Sequence, residues 1–93
     1  MLYAVRLELE LPNAASLKDK RQTVRSLKDR LRRKNVSVVE SNHQNVWQRA
    51  TVEIALAAVS RSAAEEKREE VRRALLNYEE LAVLEWREEF VKL

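Results

Sequence analysis

The order in which apolar residues change between a period of two and a helical period constrains the fold of this chain most strongly. Residues 2–11 alternate apolar and polar side chains, which is typical of a half-buried strand. Residues 17–31 repeat apolar side chains at helical intervals instead. Six elements are predicted in all: strand 2–11, a helix after Ser16, strand 36–41, strand 46–59, a helix from Ser62 and strand 81–93.

This order of elements predicts one α+β domain over residues 1–93. Two right-handed strand–helix–strand units interleave most simply into a ferredoxin-like β-α-β-β-α-β fold, with a four-stranded antiparallel sheet and two helices on one face. The helix boundaries have their own signals. Ser16 with Asp19 is expected to cap the first helix, Asn35 to end it in the left-handed conformation, and Ser62 with Glu65 to form a capping box for the second.

The inventory of reactive residues excludes several kinds of site. The chain has no glycine, which Walker-type phosphate loops and dinucleotide fingerprints need where backbone approaches phosphate. It has no cysteine and one histidine, His43, which excludes disulfide frameworks and finger-type zinc sites. The paired carboxylates Glu8 with Glu10 and Glu88 with Glu89 occupy strand positions that are usually solvated. We therefore predict a protein that is not an enzyme and that uses no cofactor.

Composition predicts a cytoplasmic, heat-tolerant protein. No apolar run approaches the ~20 residues of a membrane span, and the chain opens on a strand pattern in place of a basic leader. Charged residues make up 35% of the chain, well above the usual quarter, with one Met and no Cys.

Positive charge is concentrated in the first half of the chain. Residues 1–50 contain eleven Lys or Arg against five Asp or Glu, a net charge of +6, and residues 51–93 contain seven against ten, a net charge of −3. Within the predicted first helix, five cations fall in one arc of about 80° beside the apolar stripe. We call these residues the basic ridge: Lys18, Arg21, Arg25, Lys28 and Arg32.

The basic ridge is about 20 Å long and could follow several phosphates of a nucleic-acid backbone. The alternative is a solvated helix face whose Arg stems cover the edge of the core. Like charges at helical spacing repel one another, which leaves them available to an anionic partner. Lys20 lies inside the apolar arc, and we expect its ammonium group to extend out to solvent from the first helical turn.

A second candidate site is the predicted hairpin 42–49. In the expected topology it lies at the end of the sheet where the first helix begins, near Lys18 and Arg21. An aromatic side chain beside Arg and Gln could stack on a base and hydrogen-bond it. The alternative is a Trp that packs across the sheet end, beside a paired Arg and a solvated His. The candidate side chains are His43, Gln44, Trp47, Gln48 and Arg49.

The sheet face away from the helices lacks the exposed aromatic residues on which RNA-recognition motifs stack bases. Its flat, mildly apolar end could bury against a second copy of the chain. Two alternatives to an RNA-binding module therefore stay open. One is a self-associating interaction module with an acidic protein partner, and the other is an enzyme or small-anion sensor at the hairpin.

Several motifs in register resemble the YlxP-like family of small bacterial proteins, over roughly residues 2–93. The resemblance is carried by residues 16–21, 24–32, 35–38 and 47–50. It implies a ferredoxin-like fold, an unestablished function, and genes that often neighbour those for translation and ribosome maturation factors. The hairpin departs from the family pattern, because Asn45 stands where members usually carry an acidic residue. With this resemblance, we predict an RNA- or ribosome-associated binding module that uses the basic ridge and hairpin 42–49.

Overall fold

A computed structural model describes residues 1–93 and confirms the predicted fold class. All four strands form one antiparallel sheet in the order β2-β3-β1-β4, and both helices pack on one face of it. The elements are β1 (Leu2–Glu10), α1 (Leu17–Arg32), β2 (Ser37–Asn42), β3 (Arg49–Ala57), α2 (Arg61–Leu76) and β4 (Ala82–Val91).

The core forms because each strand sends alternate side chains toward the helices. In β1 these are the odd-numbered residues, which are buried from Tyr3 to Leu9. They join the apolar stripes of α1 and α2 in a single cluster of 19 buried residues. The imperfect alternation of β4 has its expected cause, since the pairing of β1 with β4 shifts register between Glu8 and Leu9.

The helix starts show one correct and one wrong expectation. Ser16 caps α1 as predicted, and its Oγ accepts a hydrogen bond from the Asp19 N–H at 3.1 Å. The second helix begins earlier than expected, because Ser60 is its N-cap and accepts from the Ala63 N–H at 3.1 Å. Ser62 thus lies inside the first turn, and Glu65 pairs with Arg61 at 3.3 Å and takes no part in a capping box.

Two non-glycine residues adopt the left-handed conformation, each in the connection beside β2. Asn35, at φ 61°, ends α1 as expected, and His43, at φ 62°, turns the chain after β2. Asn and His are among the residues that tolerate this region. The His43 conformation is held by local bonds, since its N–H donates to Asn42 Oδ1 at 2.8 Å and its carbonyl accepts from the Val46 N–H at 3.0 Å.

Glu88 lies on the helix-facing side of β4. It is exposed to solvent, as expected of a carboxylate on this strand, but it is also bonded within the chain. It accepts hydrogen bonds from Tyr3 Oη at 2.6 Å, Trp86 Nε1 at 3.0 Å and Arg68 Nη1 at 3.2 Å. Burial raises the pKa of Glu88, but these hydrogen bonds and the Arg68 charge outweigh it, so the pKa lies below its usual value. Burial and the bond to Glu88 raise the pKa of Tyr3. Glu88 therefore links β1, β4 and α2.

Replacing Glu88 with Gln is expected to lower the free energy of unfolding by about 2 kcal/mol at neutral pH, because charged hydrogen bonds become neutral ones. A carboxyl with a depressed pKa in the folded state stabilises above its unfolded pKa, and that stability is lost as pH falls through the folded pKa. The difference between wild type and Glu88→Gln, measured by urea unfolding, should therefore shrink below pH 4.5. A difference that stayed constant into acid would contradict this role.

Candidate nucleic-acid interface

The basic ridge lies on the outer side of α1 because the opposite side of this helix is buried. The buried positions Lys20, Val24, Leu27 and Leu31 fix how the helix is rotated against the sheet. Four members of the basic ridge are exposed to solvent, and Lys28 is half-buried. Arg32 marks the end of the basic ridge nearest the sheet edge, since its Nη2 donates to the Val38 carbonyl of β2 at 3.4 Å.

Most of the basic ridge has no carboxylate partner. Arg32 lies 3.7 Å from Asp29, and the other four residues have no acidic group within 4.0 Å. The cations of α2 behave differently, because four of its five Lys and Arg residues form ion pairs. Unpaired cations on one helix face produce a positive field that attracts anions.

Arg30, Arg33 and Tyr78 extend this basic surface. They were not among the site residues predicted from the sequence. A shallow depression of 590 Å³ lies between α1 and the end of α2, lined by Gln22, Arg25, Ser26, Asp29, Arg30, Arg33 and Tyr78. Arg30 lies over the Tyr78 ring at 5.7 Å, and Tyr78 Oη is 2.9 Å from Ser26 Oγ. Arg30 and Arg33 were visible as charges in the sequence, but only the packing of Tyr78 brings an aromatic ring beside them.

Lys20 is buried, and the expectation that it extends to solvent is wrong. Its exposure is 0%, its ammonium nitrogen lies 2.7 Å from Glu40 Oε2, and it also donates to the His43 carbonyl. The reason is that β2 and the hairpin cover the first turn of α1 and close the route to water. The Glu40 side chain is 15% exposed, so both charges are largely removed from solvent. No sequence signal paired Lys20 with Glu40.

The hairpin lies at the end of the sheet where α1 begins, where the topology predicted it. The Leu11 N–H donates to the Gln48 carbonyl at 2.9 Å. Gln48 Nε2 bonds the carbonyls of Pro12 at 3.2 Å and Ala14 at 3.4 Å, in the loop before α1. Lys18 and Arg21 flank the buried Lys20 on the exposed side of this same helical turn.

Several hairpin side chains are occupied by bonds within the chain. Gln48 holds the loop before α1, and Gln44 Nε2 bonds the Glu40 carbonyl at 3.2 Å. The half-buried His43 ring lies 3.9 Å from Glu8 Oε2, which also accepts from Thr51 Oγ1 at 2.8 Å. Glu8 is therefore a bonded group, where a solvated one was expected. These bonds give the hairpin a defined shape.

Trp47 and Arg49 have no such bonds. The side chain of Trp47 is 50% exposed and its indole N–H has no hydrogen-bond acceptor within the chain. β3 begins at Arg49, three residues later than predicted, which leaves Trp47 in the turn. Arg49 is half-buried opposite Glu10, has no carboxylate within 4.0 Å, and its Nε is buried without a partner. Trp47 is thus the hairpin side chain that is free to stack on a ligand.

No group of three or more His, Cys, Asp or Glu side chains is placed to hold a metal ion. No helix is long and apolar enough to cross a membrane.

Comparison with known protein families places the chain. The family model described as "Protein of unknown function (DUF503)" matches residues 2–88. The chain belongs to this family. Among solved structures, the DUF503 chain is similar to "De novo designed protein Foldit4" with a TM-score of 0.64 and 14% identity, covering 99% of this chain and 100% of that one. An identity this low shows the shared fold alone. No curated protein matches the DUF503 chain.

Replacing Lys20 with Met in the DUF503 chain should cost about 3 kcal/mol of unfolding free energy, because it leaves the Glu40 carboxylate buried without a counter-charge. Lys20→Met/Glu40→Leu should recover most of that loss. Urea unfolding measures both, and hydrogen exchange of the Val46 amide reports whether the hairpin loosens. Lys18→Met, two residues away and exposed, is the control, with an expected change within about 0.5 kcal/mol. If Lys20→Met were as stable as Lys18→Met, the Lys20–Glu40 ion pair would contribute nothing to stability.

Proposed function

We propose that this DUF503 protein is a non-catalytic binding module for RNA or a ribonucleoprotein, acting in the cytoplasm. The observation that carries the proposal is the basic ridge, in which four of five cations have no carboxylate partner. Folding a chain with like charges side by side costs free energy through repulsion. A polyanion that lies along α1 would relieve this repulsion and would release its own counterions.

The hairpin supports RNA as the polyanion. Trp47 offers a half-exposed ring beside the start of the basic ridge, and its bonded neighbours hold the turn that carries it. Base stacking on an aromatic ring is common to proteins that bind single-stranded RNA. The ridge would supply salt-dependent affinity, and Trp47 would add contacts to unpaired bases.

The surface around Tyr78 widens the proposed interface. Arg30 and Arg33 continue the positive field from the basic ridge across α1, and the Tyr78 hydroxyl and Ser26 add hydrogen-bonding groups. An RNA backbone that follows the basic ridge could therefore bend toward this depression. The resemblance to YlxP-like proteins, whose genes often neighbour translation factor genes, supports ribosomal RNA as the natural target. An acidic protein partner is the second candidate for the same charges.

Binding of a single-stranded RNA oligonucleotide and of ribosomal subunits across a salt series tests the proposal. Wild type is expected to bind with an affinity that falls steeply with salt, because binding releases counterions. Arg21→Glu/Arg25→Glu should bind at least tenfold more weakly, with a log–log salt slope reduced by about 1.4, at 0.7 per lost contact to a single strand.

Arg73→Glu/Lys92→Glu is the matched control for this experiment. Both residues are exposed and unpaired outside α1, and the substitutions change the net charge by the same amount. Equal losses in the two double variants would point to net charge alone. Absence of binding by wild type at low salt would end the RNA proposal and leave an acidic protein partner.

Trp47→Ala is expected to weaken RNA binding by about 1–3 kcal/mol without changing the salt slope, because stacking involves no counterion release. Fluorescence titration measures the affinity, and Val46→Ala, at an exposed neighbouring position, is the control. An affinity unchanged by Trp47→Ala would place the RNA contacts on the basic ridge alone.

A further inference from the structure

The sheet face turned away from the helices, here called the open face, is not covered by either helix. At one end the His43 ring lies 3.9 Å from Glu8, and Thr51 is buried there. Its side chains come from alternate positions of the four strands, and small residues make its centre flat. A shallow depression of 410 Å³ lies there. The residues that line it include Ala4, Arg6, Val39, Glu53, Ala55 and Arg87.

The open face carries opposite charges at the same register on its two central strands. Arg6 of β1 lies directly opposite Glu53 of β3, and Glu10 lies opposite Arg49. Within the chain, Arg6 pairs with Glu8 at 3.7 Å along its own strand. Glu53, Glu10 and Arg49 have no ion-pair partner within 4.0 Å. The charges of this face are therefore arranged in complementary positions but are mostly unpaired.

We propose that the open face binds the open face of a second copy of this chain about a two-fold axis. The axis runs along the strands, midway between β1 and β3. A rotation of 180° about this axis generates the second copy. Each outward-facing residue of β1 in one copy then lies over its own cross-strand partner in β3 of the other copy. Arg6 then faces Glu53 of the second copy, and Glu10 faces its Arg49, with each contact made twice.

The same rotation brings small or apolar residues together at the end of the face away from His43. Ala4 comes over Ala55 and Leu2 over Ala57. Arg87 of β4 in one copy comes over Val39 of β2 in the other. The reason is that Arg87 pairs with Arg6 in the sheet, and Val39 pairs with Glu53. Facing sheets pack about 10 Å apart, and the alanines leave room for the longer Arg6 and Glu53 side chains to meet.

A second copy suits the open face better than RNA or an acidic protein. The face has no aromatic residue on which a base could stack. It also carries five carboxylates, which repel both polyanions: Glu8, Glu10, Glu53, Glu85 and Glu89.

The area of the open face sets the strength of the interaction. Four strands at about 4.8 Å spacing and nine residues at about 3.3 Å give on the order of 600 Å² per copy. Two copies bury about 1,200 Å², the lower end of the range for specific interfaces. We therefore expect a dimer that dissociates on dilution.

This dimer is independent of the RNA proposal. The helices lie on the other side of the sheet, so both copies of the basic ridge stay exposed on the outer faces of the dimer. Binding two stretches of one RNA would then gain affinity through effective concentration. The association itself is measured without RNA.

Sedimentation of the full chain over a range of concentrations tests the proposal with Arg6→Glu and Glu53→Arg. In either variant alone, like charges face each other at both symmetric positions, and dimerisation should weaken about 100-fold. In an equimolar mixture, every altered side chain faces an opposite charge in the mixed pair. The mixture should therefore dimerise within about tenfold of wild type.

Controls and contrary outcomes are defined by the same geometry. Glu66→Arg and Arg73→Glu make the same charge changes on the exposed side of α2 and should dimerise like wild type. Thermal unfolding verifies that each variant folds. A wild type that stays monomeric, single variants that associate as tightly as wild type, or a mixture that stays monomeric would each overturn the proposal. Loss of RNA binding in Arg6→Glu, with wild type monomeric, would assign the open face to RNA instead.

Discussion

The buried ammonium group of Lys20 ties the first turn of α1 to the end of β2, and the rest of the candidate interface depends on it. Removing a charge from water costs several kcal/mol, and Glu40 with the His43 carbonyl offsets that cost only in one geometry. The contact therefore holds the path of the hairpin and, together with the buried Val24, Leu27 and Leu31, the rotation of α1. The rotation of α1 sets the direction in which the basic ridge points, and the path of the hairpin sets the position of Trp47.

Charge is used in two different ways on the two helices. On α2, Arg68 joins the helix to Glu88 of β4, and the pairs with Glu65, Glu69 and Glu70 lie within the helix at i,i+3 spacing. On α1 the cations are mostly unpaired, and their mutual repulsion opposes folding. Under the proposed function, an anionic ligand would relieve this repulsion. Solubility alone does not require unpaired charges, since the mixed charges of α2 also keep a helix solvated.

The element order and the facing of most side chains could be predicted from the sequence because they follow from local periodicity. Alternation in residues 2–11 identified the buried face of β1, and helical spacing after Ser16 identified both the apolar stripe of α1 and the basic ridge beside it. The start of α2 was placed two residues late, at Ser62, because Ser60 offers the same capping oxygen. Local patterns do not choose between two nearby caps.

The sequence by itself determined the ferredoxin-like order, the core and the side of α1 that carries the positive charge. Only the tertiary structure decided which charged residues bond to distant parts of the chain, and that Lys20 is buried. Lys20 meets Glu40 from another element, and Glu88 meets Tyr3 from 85 residues away. Such pairs depend on how the sheet and helices close over one another. Pattern and propensity act over a few residues, whereas a buried charge is fixed by whatever the fold brings within hydrogen-bonding distance.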